Sequence, residues 1–113
     1  MTALILTHGQ SLMDKDKRQV LTDLLRKMSK KGFYETLKFI CEKGSVHYSD
    51  ILDHDIKNRI VQSRATVTLI VRHLARLGLV KRSIVDSRPI RTVYQPTEKG
   101  VKLLRHLQAI EQL

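Results

Sequence analysis

Apolar residues recur at helical spacing in four stretches of this 113-residue chain. The stretches are residues 17–29, 33–43, 63–78 and 97–113. In each of them apolar side chains stand three or four positions apart with polar residues between them, so each predicts an amphipathic helix that buries one face.

Between the second and third of these helices the pattern changes. Residues 45–48 are short and β-prone. Ser49 or Asp50 is predicted to cap a brief helix, and residues 53–62 fit either the end of that helix or a turn.

A β-hairpin is predicted between the third and last helices. Residues 79–85 and 90–95 are rich in β-branched side chains and partly alternate, and residues 86–89 have the composition of a turn. Thr97 follows as the expected N-cap of the last helix. The predicted order is therefore helix, helix, short strand, helix, helix, strand, strand, helix.

This length suits one domain with a single core. Residues 1–16 show no sustained period and are predicted to form an N-terminal arm, whereas residues 17–113 are predicted to form the domain. The expected class is α+β, mainly helical with a small antiparallel sheet.

Positive charge is concentrated in one part of the chain. The protein has 21 Lys and Arg against 11 Asp and Glu, a net charge of +10. Between residues 57 and 91 the only acid is Asp86, and the bases are Lys57, Arg59, Arg64, Arg72, Arg76, Lys81, Arg82, Arg88 and Arg91. Nucleic acid is the commonest partner of such a surface; an anionic membrane and simple solubilising charge are the alternatives.

The 63–78 helix lies within this basic region. Ser63 is a favourable N-cap residue, and Gly78 is a favourable residue to end the helix. The face opposite its apolar side carries small and basic side chains together with one leucine, namely Ala65, Thr68, Leu69, Arg72 and Arg76. Small side chains permit close approach of the helix, and Arg can form two hydrogen bonds to the O6 and N7 atoms of guanine, so this face fits the DNA major groove. The alternative is that it is simply a solvated helix face.

Position along this helix suggests separate roles. Arg64 and Thr66, near its start, are expected closest to base edges, whereas Arg72 and Arg76 are expected on phosphates. The predicted DNA-binding set on the helix is Ser63, Arg64, Ala65, Thr66, Thr68, Leu69, Arg72 and Arg76.

The hairpin supplies a second set of basic side chains. Arg88 in its turn is expected to reach a minor groove or a phosphate, and Arg82 and Arg91 are expected along its flanks. The alternative is that these side chains protect an edge strand against aggregation.

Two segments resemble a known family. Residues 77–82, Leu-Gly-Leu-Val-Lys-Arg, and residues 92–100, Thr-Val-Tyr-Gln-Pro-Thr-Glu-Lys-Gly, are followed by Leu103. This order resembles the LxxLGLVxR…YxLTxxG ending of MarR-like, HxlR-like and ArsR-like winged-helix transcription regulators. The likeness spans about residues 33–104.

This resemblance implies an α+β winged helix-turn-helix with additional N- and C-terminal helices. Residues 63–78 match the recognition helix of that family, and residues 79–96 match its wing. Pro96 stands where the family usually has Leu, which predicts an early end to the second wing strand.

The last helix, about residues 97–113, has an apolar face wider than core packing alone requires. We expect it to form a homodimer seam with the first helix, through Val20, Leu24, Leu103, Leu107 and Ile110. Packing of the two helices within one chain is the alternative. Two-fold symmetry would set paired recognition helices about 34 Å apart and predict a palindromic site.

Other chemistries have little support in the sequence. Cys41 has no partner for an internal disulfide and is interpreted as a packed thiol rather than a redox sensor. The five His residues have no metal-ligand spacing, and no catalytic motif is present, so neither an enzyme nor a metal or cofactor is expected. No segment resembles a signal peptide or a membrane span, so we expect a cytoplasmic, nucleoid-associated protein without a membrane partner.

These features favour a sequence-specific regulator of transcription that binds double-stranded DNA, with repression as the default. No effector is assigned from the sequence. The rival hypotheses are a sequence-independent architectural DNA-binding protein and a winged-helix module that docks another protein. RNA is disfavoured because aromatic residues are few and no stacking platform is visible.

Overall fold

A computed structural model describes the backbone of residues 8–113 and the side chains of residues 14–113. Within this part the helices are α1 (His8–Met28), α2 (Phe33–Lys43), α3 (Tyr48–Lys57), α4 (Arg64–Arg76) and α5 (Glu98–Glu111). The strands are β1 (Val46–His47), β2 (Val80–Val85) and β3 (Arg91–Pro96). The predicted order of elements and the α+β class are confirmed.

The core lies where α2, α3, α4 and the sheet meet. Its centre is formed by aliphatic side chains with almost no solvent exposure, Leu37, Ile40, Ile51, Val67, Ile70, Val71, Leu74 and Leu79. Four of these eight come from α4, and Leu79 follows that helix closely. Burial of this face fixes which side of α4 remains exposed to solvent.

The three strands form an antiparallel sheet in the order β1-β3-β2. β2 and β3 form the hairpin, and the short β1 joins the other side of β3 through Val46 opposite Tyr94. The expected early end of the second wing strand is wrong, because β3 continues to Pro96, opposite Val80. Pro96 is the last residue of β3 and lies beyond the residues that pair with β1, so β2 is the only described strand that pairs with it.

α1 is longer than the helix predicted at residues 17–29. It begins at His8, so residues 8–16 of the expected arm are helical, while residues 1–7 lie outside the described part. No Pro or Gly interrupts the chain between Gly9 and Met28, and most residues there have good helix propensity, so the helix extends without an apolar period. None of the helices in the described part is long and apolar enough to cross a membrane.

α3 starts one residue before the predicted caps and runs on through the first half of residues 53–62, to Lys57. His47 is its N-cap residue, and the Asp50 carboxylate accepts a hydrogen bond from the His47 amide at 3.4 Å. Asp55, fully buried, accepts hydrogen bonds from the Thr36 hydroxyl at 2.6 Å and from the His54 ring at 2.9 Å. The hydrogen bond between Thr36 and Asp55 joins α3 to α2.

The junction between α4, the sheet and α5 depends on one threonine and one glycine. The Thr97 hydroxyl donates to the Gly78 carbonyl at 2.6 Å and accepts from the Gly100 amide at 3.0 Å. Its own amide donates to the Leu79 carbonyl at 3.1 Å. Gly100 lies so close to the Leu79 backbone that a Cβ atom there would overlap the Leu79 carbonyl. This junction fixes the start of the hairpin relative to α4.

Candidate nucleic-acid interface

The boundaries of α4 are set by local chemistry, as predicted. The Ser63 hydroxyl accepts a hydrogen bond from the Thr66 amide at 3.2 Å and so caps the first turn. At the other end Gly78 has φ +76°, the left-handed conformation that ends a helix at low cost in a glycine. The helix is therefore a rigid element with defined ends.

The face of α4 away from the core carries the predicted set. Arg64, Ala65, Leu69, Arg72 and Arg76 are exposed. Leu69 is 50% exposed although it is aliphatic, so its side chain is available for an apolar contact. Thr66 and Thr68 are partly buried, and the capping residue Ser63 is exposed.

A cleft of about 550 Å³ opens between α3, α4 and the sheet. Arg64 and Arg72 enter it from α4, and Arg82 enters it from β2. Its remaining lining consists of hydroxyl-bearing and small side chains, Tyr48, Thr68, Ala75, Thr92 and Tyr94. Because none of the described residues that line the cleft is a carboxylate, its three guanidinium groups create a site suited to an anion.

A second cleft of about 390 Å³ lies beside the first, between α3 and the wing tip. Arg64 borders both clefts, and Arg91 with Pro89 and Ile90 forms the wing side of the second. Arg88 is exposed at the tip and Arg76 is exposed in the last turn of α4, but neither lines either cleft. The structure thus brings Arg64, Arg72, Arg82 and Arg91 together and leaves the other two arginines apart.

Tyr48 was not among the residues predicted from the sequence. Its hydroxyl contacts α4 at the Thr68 hydroxyl, 2.7 Å away, and at the Arg64 carbonyl, 3.3 Å away. The Arg64 guanidinium also lies 5.6 Å from the centre of the Tyr48 ring. The available signal was an aromatic residue at the start of the helix that precedes α4.

His73, on the side of α4 that faces α1 and α2, remains an apolar packing group. Burial lowers its pKa, and the cationic side chains Lys27, Arg76, Lys30 and Arg72 lower it further. Its ring packs at a tilt on Phe33, with centroids 6.0 Å apart. The imidazole is therefore neutral near pH 7 and adds no charge to the basic surface.

Cys41 is partly buried and packs against the core. Burial raises the pKa of its thiol, and the Glu42 carboxylate raises it further. A raised pKa disfavours the reactive thiolate, in keeping with a packed thiol. Among the residues with described side chains, no group of three His, Cys, Asp or Glu is placed to hold a metal ion.

The predicted dimer residues divide into two groups. Leu24, Leu103 and Leu107 are partly buried and pack against the core of the same chain. Val20 is 64% exposed on α1 and Ile110 is 57% exposed on α5. Leu21 and Leu25 are also exposed on α1, so an apolar surface extends along that helix beyond its contact with the core.

A family model provides the first comparison with known proteins. The model of the HxlR-like helix-turn-helix family matches residues 42–113, more than half of the chain. This segment includes α3, α4, the hairpin and α5. No curated protein sequence matches the chain significantly.

Several solved structures share the fold. The reduced form of the transcriptional regulator YodB from B. subtilis has a TM-score of 0.66 at 16% identity, covering 80% of this chain and 84% of that one. A PadR-like transcription factor from Bacteroides fragilis has a TM-score of 0.66 at 23% identity, with 81% and 88% covered. A putative regulator of the MarR family from Porphyromonas gingivalis W83 has a TM-score of 0.64 at 18% identity, with 81% and 85% covered. These likenesses establish the winged helix-turn-helix fold.

Proposed function

Because this chain belongs to the HxlR-like helix-turn-helix family, we propose that it is a sequence-specific transcription regulator that represses by occupying promoter DNA. The main support for the proposal is that α4 lies beside the larger cleft, which Arg64, Arg72 and Arg82 line. One exposed helix face presents small and basic side chains, and the adjoining cleft holds only cationic and neutral groups. On this account the protein acts in the cytoplasm on nucleoid DNA.

The exposed face of α4 suits the major groove. Arg64 in the first turn has the length and fork geometry to bond guanine O6 and N7. Ala65 permits close approach of the helix, and the exposed Leu69 offers an apolar contact for a thymine methyl group. These side chains differ in chemistry, which supports recognition of sequence rather than of charge alone.

The side of the cleft that carries Arg72 and Arg82 suits the phosphate backbone beside that groove. Arg72 and Arg82 approach it from a helix and a strand that are both fixed by the core. Two guanidinium groups that project from rigid elements can hold one phosphate through charge-assisted, bidentate hydrogen bonds. Such contacts would set the register of α4 on the duplex.

The wing tip suits a neighbouring groove. Arg88 is exposed there, and Arg91 lies at the base of the tip beside the second cleft. A long cationic side chain on a narrow hairpin fits the negative potential of a minor groove. We assign to the wing a second contact that adds affinity outside the bases read by α4.

We assign a homodimer to this function, formed through α1 and α5. The exposed apolar side chains of Val20, Leu21 and Leu25 on α1 and Ile110 on α5 support it. Leu24, Leu103 and Leu107 would support this surface from beneath. A two-fold axis there would give two copies of α4 and an operator that is an inverted repeat.

Selection of fragments from a genomic library, including the region upstream of the protein's own gene, tests the proposal. We expect enriched fragments to bind at least about a thousandfold more tightly than random DNA at the same salt concentration. We also expect them to share an inverted repeat whose halves are about 10 base pairs apart. Affinity should fall steeply as salt rises.

Each rival function gives a different result in this experiment. An architectural DNA-binding protein gives tight, salt-dependent binding with an affinity ratio near one between selected and random DNA. A module that docks another protein gives weak binding with little salt dependence. A single half-site in the enriched sequences would contradict the homodimer while leaving sequence recognition intact.

A further inference from the structure

Tyr48 occupies a position between the two helices of the helix-turn-helix and the wing. It is the first residue of α3, its side chain is partly buried, and it lines both basic clefts. Its ring packs against the core, while its hydroxyl points to α4. It is therefore a fixed support for the side chains that surround it.

The two hydrogen bonds of the Tyr48 hydroxyl determine which group donates and which accepts at Thr68. A backbone carbonyl can only accept, so the contact with the Arg64 carbonyl uses the single hydrogen of the Tyr48 hydroxyl. With that hydrogen engaged, the hydrogen of the 2.7 Å contact between the two hydroxyl groups is assigned to Thr68. Thr68 thus has its hydrogen directed inward and its remaining lone pairs available to the outside.

A threonine held in this way is an acceptor only. In the major groove the donors are the N4 amino group of cytosine and the N6 amino group of adenine. The keto oxygens of guanine and thymine offer no hydrogen to such a group. A threonine with a freely rotating hydroxyl could accept a hydrogen bond from an amino group or donate one to a keto oxygen, and so would not distinguish the two kinds of base edge.

Tyr48 also restricts Arg64. The guanidinium lies 5.6 Å from the ring centre, a distance at which a cation is attracted to an aromatic face. This contact limits the conformations of a long side chain before DNA arrives, and so lowers the entropy lost on binding.

We propose that Tyr48 is a positioning residue that sets base preference by fixing Thr68 as an acceptor and holding Arg64 over its ring. The ligand feature recognised through Thr68 is an exocyclic amino group of cytosine or adenine in the major groove. This inference rests on the proposed function, because it requires α4 to read bases.

The test compares the sequences selected by three single variants, and by the double variant Tyr48→Phe with Thr68→Val, with those of the wild type. Tyr48→Phe removes the hydroxyl and keeps the ring, and Thr68→Val removes the acceptor itself. Tyr34→Phe is the matched control, since its hydroxyl also makes one side-chain hydrogen bond, to Glu111 at 2.9 Å on the α2–α5 side. Thermal melting of each variant establishes that it is folded.

We expect Tyr48→Phe to reduce the preference for an amino-bearing base at one position of each half-site by about fivefold. Thr68→Val should affect the same position, and Tyr48→Phe should add nothing in the Thr68→Val background, because both act through one hydroxyl. Tyr34→Phe should keep the wild-type preference. A merely structural role for Tyr48 would weaken binding to all sequences alike.

Two results would overturn the inference, and they are distinguishable. If the wild type selects a sequence and Tyr48→Phe selects it with the same preference at every position, Tyr48 does not position Thr68. If the wild type selects no sequence at all, the proposed function fails and the inference fails with it.

Discussion

Replacing Arg72 and Arg82 together by alanine is expected to weaken binding to a selected DNA fragment by about a hundredfold at moderate salt. Both guanidinium groups line the cleft between α4 and the wing, where no carboxylate competes for them. Each lost phosphate contact should also reduce the slope of log affinity against log salt by about 0.9, so a dimer that loses one such contact in each protomer should lose about two units. Titrations across a salt series measure both quantities.

The control for this prediction is a second double variant with the same change in charge. Lys38 on α2 and Lys102 on α5 are exposed and line neither cleft. Their replacement by alanine lowers the net charge equally and is expected to weaken binding only a fewfold. Equal losses in the two double variants would show that bulk charge, rather than the cleft, binds DNA.

Gly100→Ala is expected to destabilise the fold by about 3 kcal/mol. In an exposed helix interior this substitution is favourable by about 1 kcal/mol, because alanine is the better helix former. Here the added Cβ would overlap the Leu79 carbonyl and lie 3.0 Å from its carbonyl carbon. The Leu79 backbone cannot move aside as a side chain can, because its carbonyl also accepts a hydrogen bond from the Thr97 amide. The substitution is therefore expected to destabilise the fold rather than stabilise it.

Thermal or denaturant unfolding measures this effect. A loss of about 3 kcal/mol corresponds to a fall in Tm of roughly 10 °C for a domain of this size. Lys102→Ala, in the same helix and exposed, is expected to change stability by no more than about 0.5 kcal/mol. A Gly100→Ala variant as stable as the wild type would contradict the close approach of α5 to Leu79.

The sequence predicts α4 and its surroundings well because their signals are local. Ser63, Gly78 and Thr97 act through hydrogen bonds or dihedral angles within a few residues, and apolar spacing identifies the buried face. The family resemblance adds the junction around Gly100, whose physical reason is the contact with Leu79. The exposed positions of the candidate site follow from the same helical period.

Features that depend on distant contacts were missed or misjudged. β1 pairs with β3 through Val46 and Tyr94, but the sequence of neither segment shows that the other is its partner. Tyr48 reaches Thr68 only because α3 and α4 pack together, so its role has no local signature. The start of α1 at His8 has a different cause, since helix propensity there extends the helix where no apolar period marks it.

The central claim is that α4 lies in the major groove of a specific DNA sequence. Dimethyl sulfate methylates guanine N7 in the major groove and adenine N3 in the minor groove, so one reaction on a selected fragment reports on both. We predict protection of guanine N7 in two patches about 10 base pairs apart, with adenine N3 protection confined to flanking positions that the wing reaches. Unprotected guanine N7 throughout a tightly bound, sequence-selected fragment would contradict the account.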